Sequence, residues 1–184
     1  MIIKRLFDLF FSLFFLVVLS PVLLLGYVWT SIDTQSNGLF TQKRIGQYGV
    51  PFTIYKLKSI HPKTNKISYW GAFLRKSKLD ELPQLWNVLI GDMSFVGPRP
   101  DIAGYYDRLK GEERKVLELK PGLTSEASIK YAREEELLAM EQDSLQYNDE
   151  VLFPDKIKMN LDYYYQQSLF LDIKIIFKTL KTIC

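Results

Sequence analysis

The chain contains 184 residues, 47% of them hydrophobic and 14% aromatic, which suits one soluble domain with a small additional element and excludes global disorder. Its formal net charge of +3 is too small to indicate nucleic-acid binding. The single cysteine, Cys184, excludes an internal disulfide framework, and the single histidine, His61, excludes His-based metal clusters and disfavours a Ser-His-Asp triad.

The charges are unevenly distributed along the chain. The stretch 34–79 contains nine Lys and Arg residues and no acid, whereas the stretch 134–150 contains seven acids and no base. A long basic stretch that follows an apolar segment predicts contact with an anionic surface or with a phosphate-rich ligand.

The N-terminal region contains an uncharged run, 9–32, with Ser20 and Pro21 at its centre. An unbroken helix of this length would cross a bilayer core, but Pro21 has no N–H for the carbonyl of Val17 and its ring clashes there. The Ser20 hydroxyl can satisfy a carbonyl that the break leaves free. Basic residues flank the run on both sides, which favours a re-entrant helix–break–helix that returns to the cytoplasmic side. A proline-kinked single span is the alternative, and these residues alone do not separate the two.

Beyond this run, the chain alternates strand and helix signals. β-Branched and aromatic residues on both sides of Gly46 and Gly49 predict a β-hairpin. A Gly- and Pro-rich stretch at 92–101 predicts an ordered loop. Helices are predicted at 70–76, 81–89, 102–119 and 134–147. The predicted fold class is therefore α+β and mostly helical.

The C-terminal segment has the pattern of a basic amphipathic helix at about 168–183. Its apolar residues recur at helical spacing along one face, and lysines lie off that face. Such a helix suits a membrane surface. Packing of the same apolar face against a protein core is the alternative, and the pattern fits both.

Two adjacent acids, Asp80 and Glu81, are the first candidates for chemistry. Locally they fit a helix start, where acids complement the macrodipole and where Ser77 with Asp80 forms a loose capping box. Neighbouring side chains on a helix point about 100° apart, so the two carboxylates do not face each other. Taken alone, the pair is better explained by this structural role.

The surroundings of the pair favour phosphate chemistry. Arg99 lies between two prolines, which restrict its backbone and suit bidentate phosphate recognition. Lys56 and Arg75 add positive charge ahead of the acids. Carboxylates beside cations suit a magnesium–diphosphate substrate, because Mg²⁺ binds one or two carboxylates together with phosphate oxygens. The sequence contains no Walker A motif and no G-x-G-x-x-G motif.

The stretch "SKLDELPQLWNVLIGDMSFVGPRPD" closely resembles the central signature of the bacterial sugar transferases, the monotopic polyprenyl-phosphate phosphoglycosyl transferases. The resemblance extends to "KRLFDLFFSLFFLVVLSPV", which is similar to their re-entrant membrane helix, and to "LDYYYQQSLFLDIKIIFKT" in their C-terminal half. It covers nearly the whole chain, as in the small, minimal-core members. The segment 125–138 departs from the family pattern, so the choice of sugar is where the resemblance is weakest.

The resemblance implies an enzyme that moves a sugar-1-phosphate from a UDP-sugar to polyprenyl (undecaprenyl) phosphate, with Mg²⁺ required and UMP released. By position, Asp80 matches the nucleophile that forms a covalent phosphosugar intermediate, and Glu81 matches its dyad partner. Both would take part in binding the metal. The matching substrate-binding positions are Arg99, Arg75, Lys56 and Asp162. Ser20 and Pro21 match the helix-breaking pair, which favours the re-entrant anchor over a single span.

These inferences predict a re-entrant membrane helix at 1–32 and a cytoplasmic catalytic domain at 33–184 on the inner membrane of a bacterium. We expect the helix dipole and neighbouring cations to keep Asp80 ionised. A non-catalytic membrane scaffold for polysaccharide assembly is the competing hypothesis, motivated by the two amphiphilic ends and the acidic stretch. The identity of the sugar and the oligomeric state, monomer or homo-oligomer, stay open.

Overall fold

The computed structural model of the chain describes residues 2–183, so the prediction made for Cys184 lies outside the described residues. These residues are mostly helical and include two sheets of two strands each. They divide into two compact units, which comprise residues 2–44 with 51–94, and residues 45–50 with 95–182. The predicted α+β, mostly helical class is confirmed in these terms.

The first unit begins with a broken pair of helices, α1 (Ile2–Val18) and α2 (Ser20–Thr34). The two helices are bent by 62° at the break. The Ser20 hydroxyl donates a hydrogen bond of 2.7 Å to the carbonyl of Val17, the group that Pro21 cannot serve. The predicted break and its local cause are confirmed.

The helix pair buries polar residues and exposes apolar ones. Its buried residues are small or polar: Asp8, Ser12, Gly26, Thr30 and Thr34. Large apolar side chains such as Phe10, Leu13, Leu24 and Leu25 are more than half exposed. No single helix in the described part of the chain is both long and apolar enough to cross a bilayer, whereas the bent pair together meets the criteria of length and composition.

The rest of the first unit surrounds a short 3₁₀ segment. Strands β1 (Leu39–Ile45) and β2 (Pro51–Leu57) form the predicted hairpin, and α3 (Tyr69–Ser77) follows. The 3₁₀ segment (Leu79–Gln84) leads directly into α4 (Leu85–Ile90), and it packs against β2, α3 and α4. The single helix predicted at 81–89 is therefore only half correct, although it ends as expected at Gly91, whose φ of 97° is left-handed.

Two hydrogen bonds attach α2 to α3 within the first unit. The Trp70 indole donates to the Thr30 hydroxyl at 3.0 Å, and the Ser68 hydroxyl donates to the Asp33 carboxylate at 2.6 Å. Ser68 is also the N-cap of α3, where its side chain accepts from the Gly71 N–H. These contacts fix α2 to α3, the helix that precedes the two acids.

The second unit begins where β3 (Ser94–Val96) pairs with β4 (Gly122–Thr124). The helix predicted at 102–119 is wrong: this stretch contains loops and two 3₁₀ segments, Tyr106–Arg108 and Gly111–Glu118. Gly104 and Gly111 have φ values of 108° and 57°, which lie outside the right-handed helical region. An α-helix cannot continue through either glycine in that conformation.

The remainder of this unit is helical, with α5 (Glu126–Lys130), α6 (Glu134–Met140), α7 (Ser144–Tyr147), a π-helical turn (Asn148–Leu152), α8 (Phe153–Gln166) and α9 (Leu169–Ile183). The single helix predicted at 134–147 is instead two helices. The Asp143 side chain accepts a hydrogen bond from the Gln146 N–H and starts a new helix at Ser144.

The predicted C-terminal helix is confirmed as α9. One of its faces is buried in the protein core, and another exposes apolar side chains. Ile175 and Asp172 are buried, with Leu171 and Ile176 half-buried beside them. The exposed side has its own apolar stripe at helical spacing, formed by Phe170, Ile173, Phe177 and Leu180. The helix therefore packs on the core with one face and exposes apolar side chains on another.

Candidate functional site

Asp80 and Glu81 lie in the first turn of the 3₁₀ segment rather than at the start of an α-helix. Lys78, with a left-handed φ of 57°, ends α3 and turns the chain into this segment. The predicted capping box is wrong, because the Ser77 hydroxyl donates to the carbonyls of Phe73 and Leu74 instead of accepting near Asp80. The tight 3₁₀ winding directs the Asp80 side chain into the first unit, where it is only 8% exposed.

Burial dominates the electrostatics of Asp80. It raises the pKa of the Asp80 carboxyl above the ordinary value, and the neighbouring charge of Glu81 raises it further. Three cations lower the pKa but do not cancel the rise: Lys56, Lys78 and Arg75. The predicted cations are thus present around Asp80 and act in the expected sense, but burial and Glu81 outweigh them in the direction of the pKa shift.

One oxygen of Asp80 has no hydrogen-bond partner. Oδ1 is buried, and within the described residues nothing donates to it. A buried polar atom without a partner costs about 1–3 kcal/mol, and folded proteins contain few of them. A lone pair that the protein itself leaves unused is available to attack a phosphorus atom or to bind a cation.

Glu81 has a different environment from its neighbour. The Lys56 ammonium on β2 forms a 3.0 Å ion pair with the Glu81 carboxylate, and both side chains are largely shielded from solvent. A charge-assisted hydrogen bond of this length holds a carboxylate in one orientation. The two adjacent acids are therefore distinguished by their partners: Asp80 has a free oxygen, and Glu81 is held by a cation.

The sequence reasoning missed Asn87, a fully buried residue of α4. Its side-chain amide donates to the Thr53 carbonyl at 2.7 Å, and its oxygen accepts from the Tyr55 N–H at 3.3 Å. These bonds fix the register of β2 against α4 immediately beside Lys56. A polar residue on the inward face of an otherwise apolar helix was the only sequence signal for this role.

Two more buried polar side chains of the first unit were not predicted from the sequence. Gln84, the last residue of that segment, and Ser94, at the start of β3, are both at least 97% buried. Gln84 Nε2 and Ser94 Oγ, like Asp80 Oδ1, have no hydrogen-bond partner among the described residues. A donor and a hydroxyl without partners are the groups that a phosphate or sugar oxygen can bind.

Arg99 belongs to the second unit, where it lies in the Pro-Arg-Pro loop. The start of the loop is held by two backbone bonds, from Gly97 N to the Thr124 carbonyl and from Gly122 N to the Pro98 carbonyl. Gly97 has to be glycine, since a Cβ there would lie 2.2 Å from the Lys120 carbonyl oxygen. Arg99 lines a small recess of this unit together with the flanking prolines and apolar side chains.

Tyr106 forms part of the same recess. The Asn160 amide of α8 donates a 3.1 Å hydrogen bond to the Tyr106 hydroxyl, and burial raises the pKa of that phenol. Asp162, the predicted substrate-binding acid of α8, is exposed, whereas Asn160 and Tyr163 on the same helix are buried. The structure thus brings Asp80, Glu81, Lys56 and Arg75 together in the first unit, and Arg99 and Asp162 belong to the second.

The residues present fit a Mg²⁺ ion that is completed by substrate. Asp80 Oδ1 is an unpartnered oxygen of the kind that this hard cation prefers, and Glu81 is a second carboxylate next to it. Mg²⁺ typically binds one or two carboxylates and takes its other ligands from phosphate and water. Asp80 and Glu81 are the residues that would hold it.

The divergent segment 125–138 forms α5 and the start of α6 in the second unit. The Ser125 hydroxyl caps α5 by accepting from the Ser128 N–H. Arg133 is strongly exposed, and its guanidinium lies 3.9 Å from the Glu136 carboxylate. The segment is ordered by local capping, and its relation to sugar choice stays a prediction.

Comparison with known proteins identifies the class. The model of the bacterial sugar transferase family matches residues 1–184, and the chain belongs to that family. An uncharacterized sugar transferase, EpsL, of Bacillus subtilis is 32% identical across 100% of this chain and 88% of its own length. The predicted family membership is confirmed.

Two further relatives have names that state an activity. A UDP-glucose:undecaprenyl-phosphate glucose-1-phosphate transferase of Caulobacter vibrioides is 31% identical over 98% of this chain and 69% of its own length. A protein of the same name from Klebsiella pneumoniae is 34% identical over 97% of this chain, but the match spans only 39% of that relative.

Proposed function

We propose that this protein transfers a sugar-1-phosphate from a UDP-sugar to undecaprenyl phosphate and releases UMP. The observation that carries the proposal is the buried Asp80 carboxylate, with an unpartnered oxygen among three cations, in a chain of this family. The named relatives act between a UDP-sugar and undecaprenyl phosphate. The product, a lipid-linked diphosphate sugar, would begin the assembly of a membrane glycoconjugate or polysaccharide.

The reaction would proceed in two displacements at phosphorus. An Asp80 oxygen attacks the phosphorus that bears the sugar, a new P–O bond forms, and the bond to the UMP oxygen breaks so that UMP leaves with the electron pair. An oxygen of undecaprenyl phosphate then attacks the same phosphorus and restores the Asp80 carboxylate. A carboxylate is an established nucleophile for phosphoryl transfer.

The protein residues around Asp80 have defined tasks in this scheme. Lys56, Lys78 and Arg75 attract the donor diphosphate and favour the ionised carboxylate that attacks. The Lys56–Glu81 ion pair holds the carboxylate of the second acid in one orientation. A bound Mg²⁺ would neutralise charge on the donor diphosphate and on the departing UMP. Arg99, in its restrained loop, is the candidate for contacting donor phosphate, and Asp162 is a further candidate for binding substrate.

The N-terminal helices would form a re-entrant anchor on the cytoplasmic face of the bacterial inner membrane. The pair α1–α2 exposes apolar side chains and buries polar ones, which is the pattern expected of a surface that faces lipid. Basic residues on both flanks favour a chain that enters and leaves on the cytoplasmic side. The exposed apolar stripe of α9 would rest on the membrane surface, with lysines along the same helix near lipid phosphates.

The activity is tested with purified protein in lipid nanodiscs that contain undecaprenyl phosphate, a panel of UDP-sugars and Mg²⁺. UMP release with at least one donor, strictly dependent on Asp80, is expected. Without acceptor, the mass of the protein should increase by one phosphosugar, located on Asp80. A panel that yields no UMP refutes the proposal and leaves the scaffold hypothesis in its place. Full activity of Asp80→Asn refutes the assignment of Asp80 as the nucleophile.

The anchor is tested separately by cysteine labelling. Lys4→Cys and Lys43→Cys variants lie on either side of the helix pair, and a re-entrant anchor predicts that both are labelled only from the cytoplasmic side of membrane vesicles. Labelling from opposite faces would show that the pair spans the bilayer. Removal of Mg²⁺ by EDTA should abolish UMP release, and Mg²⁺ should restore it.

A further inference from the structure

Arg5, near the start of α1, contacts the end of α4. Its guanidinium donates two hydrogen bonds, from Nη1 to the Val88 carbonyl at 2.6 Å and from Nη2 to the Leu89 carbonyl at 2.7 Å. Both bonds are partly buried and join residues more than 80 positions apart in the chain. A residue of the membrane-segment helix is thereby fixed to the helix that follows the acid pair.

The contact is chemically specific to arginine. The last carbonyls of a helix lack intrahelical donors, and a cation beside them also complements the helix dipole. The planar guanidinium offers two N–H groups in parallel, so it can serve two successive carbonyls at once. A lysine ammonium carries the same charge but lacks this fixed fork.

Helix α4 transmits this attachment to the acid pair. It continues from the 3₁₀ segment without an intervening loop, so its position fixes the position of Asp80. The donor of these hydrogen bonds, Arg5, belongs to α1. Arg5, Asp8 and Ser12 share one face of this helix by their i, i+3, i+7 spacing. Asp8 and Ser12 are buried, while Leu6, Phe10 and Leu13 on the remaining surface are more than half exposed.

We propose that Arg5 is a positioning residue that sets the depth of Asp80 relative to the lipid surface, and that it thereby governs the step with the lipid acceptor. The inference rests on the proposed function. The UDP-sugar reaches Asp80 from solution, so its reaction does not depend on that depth. The phosphate of the acceptor is held at the headgroup plane by its prenyl chain. The reaction of the acceptor therefore depends on the depth of Asp80.

The test compares Arg5→Lys and Arg5→Gln with the wild type in nanodiscs, with Arg108→Lys, an exposed position, as the matched control. Steady-state rates are measured while donor and acceptor are varied in turn. We expect kcat/KM for undecaprenyl phosphate to fall about 10- to 100-fold in both Arg5 variants, the loss that a misplacement of roughly 1 Å causes, with Lys less affected than Gln. We expect kcat/KM for the UDP-sugar to stay unchanged, and Arg108→Lys to behave like the wild type.

A second measurement separates depth from general damage. A short-chain prenyl phosphate in detergent micelles is not held at a bilayer plane, so the Arg5 variants should use it nearly as well as the wild type. Equal losses for donor and acceptor, or equal losses in micelles and bilayers, would show that Arg5 only supports the fold and would overturn the inference. No loss in either variant would also overturn it. A wild-type protein that releases no UMP would instead refute the proposed function itself.

Discussion

Replacing Asp80 by asparagine should abolish activity and stabilise the protein. Asparagine has nearly the same shape, but it removes the charge that burial disfavours, and it cannot act as the phosphoryl nucleophile. Burial and Glu81 together raise the pKa of the Asp80 carboxyl despite the nearby cations, so ionising this side chain costs more in the folded protein than in the unfolded chain. Activity and stability should therefore change in opposite directions.

The expected gain in stability is modest. Relief of a destabilised functional site commonly yields about 0.5–2 kcal/mol in the free energy of unfolding. For a chain of this size that corresponds to an increase in Tm of about 1–8 °C. UMP release should fall by at least about 10³-fold, as expected for the loss of a nucleophile. Thermal unfolding and UMP release are measured on the same nanodisc samples, and Glu113→Gln, a charge removal at an exposed position, serves as the control.

The stability difference should depend on pH with a defined sign. Because the pKa of Asp80 is raised in the folded state, the folded protein retains this proton to a higher pH than the unfolded chain does. The corresponding stability is complete below the unfolded pKa and is lost as the pH rises through the folded pKa. Asp80→Asn has no such loss. Its gain in free energy of unfolding over the wild type should therefore grow as the pH rises and vanish in acid. An asparagine variant that is less stable than the wild type at neutral pH would refute the claim that burial outweighs the cations.

Three further predictions concern the residues that support Asp80. Asn87→Leu leaves the Thr53 carbonyl and the Tyr55 N–H without their partner, so the free energy of unfolding should fall by about 2–6 kcal/mol, measured by thermal unfolding. Lys56→Met removes a cation that lowers the pKa of Asp80, so the acid limb of the pH–activity profile should move to higher pH; an unmoved limb would show that Lys56 acts only through Glu81. Ser20→Ala leaves the Val17 carbonyl without its hydroxyl donor and should cost about 1 kcal/mol in stability with little change in UMP release.

The elements that could be predicted from the sequence are those with local causes. The helix break at Ser20 and Pro21 follows from a missing N–H, and the hairpin follows from alternation around glycines; both are present in the structure. The helix predicted at 102–119 failed because Gly104 and Gly111 adopt left-handed conformations that the apolar periodicity does not reveal. Whether a glycine sits in such a conformation depends on the tertiary packing around it.

The same distinction applies to the candidate site. The sequence shows that Asp80 and Glu81 are adjacent, and it shows many Lys and Arg residues in the stretch before them. The net direction of the Asp80 pKa shift depends on burial by β2, α3 and α4, which are brought around it only by folding. The role of Asn87 has only a weak local signal, a polar residue on an apolar helix face, because its hydrogen bonds go to a strand more than 30 residues away.

Asp80 and Glu81 differ in chemistry because their side chains point in different directions. Asp80 points into the first unit, where one of its oxygens has no donor, while Glu81 points toward β2 and meets Lys56. A carboxylate held by an ammonium has less electron density to offer, and a carboxylate with an unused lone pair can attack. The buried amide of Gln84 and the hydroxyl of Ser94 also lack partners among the residues described, and both belong to the same unit as Asp80. Folded proteins contain few such groups, so each of the three is a candidate for contact with a ligand that is rich in oxygen atoms.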